Sequence, residues 1–452
     1  MAAIRAAQLG IKTALVEKHD TLGGTCLNVG CIPSKALLES SHIYWLSRQK
    51  DILEKHGIIL SAQPELDLKS LMKRKQSVVD ELTGGIAGLM KKNKVDVFYG
   101  HAEFLEPGMI SIKRQEETHR LEAENIIIAT GAKTIEIPQL PFDGDLIVSS
   151  TEALEFSRVP RSLVIVGGGA IGLELGQVWS RLGAKVTIIE MLKHIAPFAD
   201  RLPARILTKS LQNQGLDIRT GCRVTKAEKS KNGLTITMED SKGQRQLMEC
   251  DKLLVSVGRR PNTDGLGIDK AGVALDEKGF VKVDEQLRTT TPGIWAIGDV
   301  VPGPMLAHKA EEEGVIVAQR IAGIQGHMDY ETIPAVVYTH PEFAMAGLTE
   351  KICKKRDIKT KAGRFYFMAN GRAVASDQTE GVAQVLCEAG SGKILGVQIV
   401  GPGASEIIAE AVLALKQGMT AKQLGNTVHA HPTFSEALKE AALAAADRSI
   451  HS

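Results

Sequence analysis

The sequence predicts an α/β fold: two doubly wound parallel units, then a C-terminal α+β domain. Three observations carry this. One design, a helix ending in Leu-Gly, a short β-rich run and a closing acidic residue, occurs at 6–17 and again at 180–190. Apolar runs at 125–132 and 251–262 end in tight turns, as strands bordering a nucleotide domain do. From about Tyr330, strand-like segments mix with the helical run 405–415. A chain of 452 residues has material for about three domains with large cores.

The first unit opens with a helix that ends at Gly10, followed by a strand over 12–17 closing on Glu17. A helix is preferred there to the stub of a transit peptide, because the segment ends as helices end and lacks the apolar region and cleavage pattern of a secretory signal. The chain begins inside that helix. The expectation is therefore an incomplete first unit, with its first strand and glycine loop absent, roughly 20 residues by comparison with a full dinucleotide-binding unit.

Next comes Gly23-Gly24-Thr25-Cys26-Leu27-Asn28-Val29-Gly30-Cys31-Ile32-Pro33-Ser34-Lys35, leading into a helical stretch. A thiol at a helix N-terminus feels the positive end of the backbone dipole, which favours thiolate and hence disulfide exchange. Pro33 suits an early helical position, where its missing N–H costs nothing. The Cys-x4-Cys spacing alone leaves three readings open: a redox-active dithiol, a zinc half-site, or two incidental thiols. The other cysteines, Cys222, Cys250, Cys353 and Cys387, have no paired spacing, and six cysteines in all are too few for a disulfide framework.

The second unit is complete. A strand over 162–166 runs into Gly167-Gly168-Gly169-Ala170-Ile171-Gly172, then a helix, then a strand ending at Glu190. Gly167 makes the tight turn, Gly169 admits a diphosphate to the helix N-terminus, and Gly172 lets helix and strand pack closely. Glu190 can accept hydrogen bonds from both ribose hydroxyls and would repel a 2′-phosphate; 191–194 offer no arginine for one. NAD is expected rather than NADP.

Two further segments carry polar chemistry. The strand-like 291–297 delivers Asp299 at its end, a suitable partner for a polyol hydroxyl. Near the C-terminus, His431 precedes Glu436 at the entry to a helix. An imidazole held by a carboxylate is a suitable base for a thiol, although a helix-entry histidine with a capping carboxylate has the same spacing. Metal binding by His429 and His431 lacks a third ligand, so no metal is expected.

Composition narrows the partners. Net charge is +2 with 24% charged residues, which argues against a nucleic-acid surface. No apolar run reaches the length of a membrane span. No nucleic acid and no membrane are expected; the chain reads as cytoplasmic, or of the mitochondrial matrix if eukaryotic.

Taken together, Gly23–Lys35, Ala129-Thr130-Gly131, 167–174, the 291–299 segment ending Gly-Asp, Met305-Leu306-Ala307-His308 and 429–436 resemble the flavoprotein disulfide reductases over essentially the whole chain. Within that family the chain is most similar to members that oxidise protein-bound dihydrolipoamide with NAD⁺. The resemblance implies two Rossmann-like nucleotide-binding domains plus a C-terminal α+β dimerisation domain, with FAD and NAD as cofactors. It places an FAD-binding domain with the redox cysteines at 1–146, an NAD-binding domain at 147–262, a central domain completing the FAD site at 263–328, and an interface domain at 329–452.

It further implies a homodimer whose active sites are shared between subunits, serving the lipoyl domains of 2-oxo acid dehydrogenase complexes or the glycine cleavage system. Cys31 would be the thiol against the flavin and Cys26 the interchange thiol. His431 of one subunit would be the acid/base for the other, oriented by Glu436. Lys35 and Glu174 would pair beside the flavin, Glu17 would bind the adenosine ribose of FAD, and Asp299 its ribityl chain. Met305, Leu306 and Ala307 would lie near the pyrimidine edge, and Gly100, Thr130, Gly131 and Gly258 would take cofactor-binding positions. Basic residues expected of an NADPH-using relative are missing at 191–194, and the C-terminal 448–452 carries no extra redox pair. Two alternatives remain at this stage: a flavin-poor NAD-binding or scaffold chain of a dehydrogenase complex, or another reductase of the same family.

Overall fold

The structure, a computed structural model, describes residues 1–231 and 233–451. They divide into two compact units, one of residues 1–36, 70–135 and 258–328, the other of residues 37–69, 136–257 and 329–452. The first unit thus joins the expected flavin segment to the expected central segment. Residues 37–69, expected with the flavin domain, cluster with the second unit instead.

In the first unit the helix Ala2–Gln8 leads to the strand Ala14–Glu17, which pairs in parallel with Asp96–Tyr99. Ile126–Ile128 pairs in parallel with Ile294–Ala296, and three antiparallel strands, His101–Glu106, Met109–Arg114 and Glu117–Glu122, complete the β-structure named here. The core gathers Phe104, Ile128, Ile268, Val281, Ile294 and Val300, drawn from both ends of the unit's sequence. Burying each such side chain is worth roughly 1.5–3 kcal/mol. The strand Ile294–Ala296 is fully buried, so the turn that follows it is set on a rigid base.

The second unit contains a five-stranded parallel sheet in the order 217–220, 185–190, 162–166, 252–255, 147–148. Ser162–Val166 and Lys185–Glu190 are rich in Val and Ile and, beyond their first residues, buried on both faces, as parallel strands between helices must be. The helix Ala170–Arg181 lies close against them because Gly176 stands where any Cβ would press on Ile165 and Ile188.

The same unit ends in a five-stranded antiparallel sheet carrying the helices Ala404–Lys416 and Glu436–Ala445. Its core is rich in alanine on the helix side, with Ala411, Ala437, Ala441 and Ala445 against Phe365, Val385 and Ile399. At Gly363 the helix and the strand fit closely, since an added Cβ would collide with the backbone of Ala441 and Ala445. The helix that starts at Glu436 is therefore seated directly on a strand.

Candidate active site

The thiol pair is built by glycines and one asparagine. Gly23 and Gly24 take φ +105° and +61°, a region that favours glycine, and open the short helix Gly24–Val29 that carries Cys26. Asn28 ties this turn together: its Nδ2 donates to Leu22 O at 3.1 Å and Gly24 O at 2.9 Å, while its Oδ1 accepts from Thr21 at 2.7 Å. The backbone breaks at Gly30, where a Cβ would press on Thr25 O, and Cys31 then heads the 17-residue helix Cys31–Ser47.

The two sulfurs are not joined by a disulfide in this structure, Cys26 being half-buried and Cys31 exposed. The Cys26 thiol is pushed strongly up, first by its hydrogen bond to the Cys31 sulfur, then by burial and by the charge of Cys31; Lys35 opposes the shift. Cys31 stands at the head of the long helix, where the positive end of the backbone dipole favours a thiolate. Arg259 is lowered by burial and raised by Asp299 and Cys31, so it faces both groups.

On the flavin side, Asn262 pins the Thr130–Gly131 turn. Its N–H donates to Gly131 O at 2.9 Å, its Nδ2 to Thr130 O at 3.2 Å, and its carbonyl accepts from Thr130 Oγ1 at 2.7 Å. Gly131 has φ +70° and open space where a side chain would project. Glu17 ends its strand with Oε1 accepting the His19 N–H at 2.9 Å, and the Gly100 N–H donates to Glu17 O at 2.8 Å. Gly258, at φ +133°, leads into residues 259–261, which pair with 132–134.

Asp299 occupies the 3₁₀ turn Gly298–Val300, and its carboxyl is raised by burial, with Arg259 and Lys309 pulling it down and Glu313 pushing it up. It accepts no hydrogen bond among the described residues, which is an unfavourable state for a half-buried carboxyl. A polyol hydroxyl would relieve it. The helix Ala307–Ile321 begins after Met305-Leu306, and its first-turn N–H groups have no intrahelical acceptor. These residues fit the ribityl chain and pyrimidine edge of FAD.

The nucleotide loop of the second unit has the geometry its glycines predict. Gly167 has φ +114° and a Cβ there would meet Ser256 O at 2.5 Å; a Cβ at Gly172 would collide with Gly167 O; at Gly169 the space is open. Each oxygen of Glu190 is already anchored, Oε2 by the Gly168 N–H and Oε1 by the Leu192 N–H, both at 2.7 Å. Every carboxylate oxygen has a second lone pair, so the group is held ready for ribose hydroxyls. These residues fit NAD.

His431 and Glu436 are brought together. Nδ1 of His431 lies 2.9 Å from Glu436 Oε1, and Glu436 Oε2 accepts the Thr433 N–H at 2.8 Å. Burial raises the Glu436 carboxyl, yet the Thr433 N–H and His431 overcome it and leave it below the usual range. The imidazole is 76% exposed, so with Nδ1 engaged its Nε2 is the nitrogen offered outward. His429 Nε2 lies 2.9 Å from Glu410 Oε1, and its Nδ1 lies 3.0 Å from Thr427 O. Glu174 Oε1 accepts the Tyr338 N–H at 3.0 Å, and Lys35 Nζ lies 3.5 Å from Ser34 Oγ.

Sequence reasoning passed over Asn28, Gly168, Ser256 and Asn262, which hold the assigned residues in place. Gly168 alone carried a local signal, as the middle of three consecutive glycines.

Residues 1–314 match the family described as pyridine nucleotide-disulphide oxidoreductase, and residues 333–442 match its dimerisation domain. The chain belongs to this family, whose cofactors are FAD and NAD(H). Dihydrolipoyl dehydrogenase 1, mitochondrial, of Arabidopsis thaliana is 46% identical, over 100% of this chain and 89% of that protein. Dihydrolipoyl dehydrogenase of Trypanosoma brucei brucei is also 46% identical, over 100% of this chain and 95% of its own length. Among solved structures, LpdA from Mycobacterium tuberculosis aligns with a TM-score of 0.88 at 25% identity, covering 98% of this chain and 96% of that one. Among the described residues, no helix is long and apolar enough to cross a membrane.

Proposed function

We propose that this chain is an NAD-dependent dihydrolipoyl dehydrogenase, oxidising protein-bound dihydrolipoamide through a Cys26–Cys31 disulfide. The observation that carries the reading is the thiol pair, with Cys31 at the head of a long helix and Cys26 bonded to it.

In the oxidised pair, a substrate thiolate attacks Cys26 Sγ; the Cys26–Cys31 bond breaks and its electrons remain on Cys31 as thiolate. The second substrate thiol then attacks the substrate sulfur of the mixed disulfide, the bond to Cys26 breaks, and lipoamide leaves oxidised. His431 Nε2, from the partner subunit, takes the proton of the attacking thiol, with Glu436 holding the ring and stabilising the imidazolium. Bound FAD supplies the two-electron path from the reduced pair to NAD⁺. Gly167, Gly169, Gly172 and Glu190 hold the nucleotide; Gly100, Thr130, Gly131, Glu17, Asp299 and Met305–Ala307 hold the flavin, with Gly258 bordering the site.

The reading carries with it the division into 1–146, 147–262, 263–328 and 329–452, a homodimer formed through the last of these, and lipoyl domains as partners. The compartment would be the cytoplasm, or the mitochondrial matrix in a eukaryote. Cys26→Ser and Cys31→Ser test it together. Both should fold and lose lipoamide-dependent NADH formation, while only Cys26→Ser keeps a thiolate-to-flavin absorption band. Full activity in either variant would overturn the reading.

A further inference from the structure

The helix Ala307–Ile321 buries an ion pair completely: Lys309 Nζ and Glu313 Oε1 lie 3.1 Å apart, and both side chains are 0% exposed. A buried pair of this kind is poor stabilisation, because the desolvation cost matches or exceeds the attraction and apolar replacements are often neutral or better. What the pair does hold is the backbone of Gly298. Gly298 N–H donates to Glu313 Oε2 at 2.7 Å, and Lys309 Nζ donates to Gly298 O at 2.9 Å.

Gly298 has φ +76°, where glycine is favoured, and a Cβ there would come within 3.2 Å of Ala310. Its neighbour Ile297 is fixed to the sheet by an N–H bond to Ile128 O at 3.0 Å. The next residue is Asp299. With the N–H and the C=O of Gly298 held by opposite charges, the two successive peptide groups that flank it are both restrained on a strand end already anchored, and the Asp299 carboxyl inherits that constraint.

We propose that Lys309 and Glu313 are positioning residues that aim Asp299 at the polyol chain of FAD, an inference resting on the assignment of Asp299 to the flavin made above. Both side chains are fully buried, and the pair acts through the backbone of Gly298. Its removal should loosen flavin retention by the same route as removal of the Asp299 carboxylate.

The test is a cycle on the holoenzyme, read as the rate of flavin release followed by FAD fluorescence after dilution. Lys309→Met/Glu313→Leu removes both charges together and so leaves no lone buried ion; Lys309→Met/Glu313→Gln keeps an acceptor for the Gly298 N–H. The expected result is release about 10-fold faster in Asp299→Asn and in the Met/Leu pair, partial rescue in the Met/Gln pair, and no further increase when Asp299→Asn is added to Met/Leu. Wild-type release from the Met/Leu pair, or effects that multiply with Asp299→Asn, would overturn the proposal. Wild-type release from Asp299→Asn alone would remove the flavin assignment of Asp299 and the proposal with it, leaving the thiol chemistry to be judged by the cysteine variants.

Discussion

His431 Nδ1 and Glu436 Oε1 are 2.9 Å apart, and the same carboxylate takes the Thr433 N–H on its other oxygen at 2.8 Å. Glu436 begins a helix packed directly on a strand at Gly363, so the imidazole is oriented by the core of the C-terminal domain. An exposed histidine on its own would sample several rotamers; this one has a fixed partner.

Glu436→Gln should therefore lower kcat by about 10-fold or more, because the carboxylate that orients the imidazole and stabilises its protonated form is lost. His431→Gln should cost about 10²- to 10⁴-fold, the range for a general base. Steady-state NADH formation from dihydrolipoamide checks both. An unchanged kcat in Glu436→Gln would remove its role in orienting the base.

Glu190→Ala takes away the acceptor that now holds the Gly168 and Leu192 N–H groups and excludes a 2′-phosphate. Hydrogen bonds to a charged group are worth about 1.5–3 kcal/mol, so KM for NAD⁺ should rise about 10-fold or more, and the preference for NAD⁺ over NADP⁺ should fall by a similar factor. Kinetics with both nucleotides decide the matter. Retained preference in the variant would place discrimination elsewhere.

Two buried groups in the second unit give opposing pH dependences. Burial, with His42 at 4.8 Å between ring centroids and Arg181 nearby, pushes His340 down to about 4. Between about pH 6.5 and 4 the unfolded chain binds a proton there that the folded chain refuses, so His340 makes stability fall as pH falls. Asp200 runs the other way: burial raises it to about 6, against the Glu350 N–H, Arg364 and Gln398 that lower it. Between about pH 4 and 6 the folded chain binds the extra proton, so Asp200 makes stability fall as pH rises. In urea unfolding at about pH 5 and pH 7, a range chosen to span these pKa values, His340→Gln should lose less stability on acidification than the parent, and Asp200→Asn should lose more. The reverse order would refute the burial assigned to these groups.

The thiol loop, the glycine turn with Glu190, and the His431–Glu436 pair were legible in the sequence because each is written within a few residues. Helix dipoles, positive φ and the period of a strand are local properties. The same holds for the βαβ design repeated at 6–17 and 180–190, and for the mixed character of the C-terminal domain. Boundaries were less legible. Residues 37–69 cluster with the second unit although they continue the helix that starts at Cys31, since side-chain packing and not chain continuity decides membership.

By itself the sequence determined the fold class and the cofactors FAD and NAD, and it named the residues proposed to carry the redox and nucleotide chemistry. Only the tertiary structure decided that Lys309 and Glu313 are fully buried on Gly298 and that His42, Arg181 and His340 meet. It also decided that Asn262 pins the Thr130–Gly131 turn. Lys309 and Glu313 have the i, i+4 spacing of an ordinary surface pair, worth a few tenths of a kcal/mol in solvent. Their different role here comes from exclusion of water, and whether water is excluded depends on segments far apart in the chain that pack together only in the folded protein.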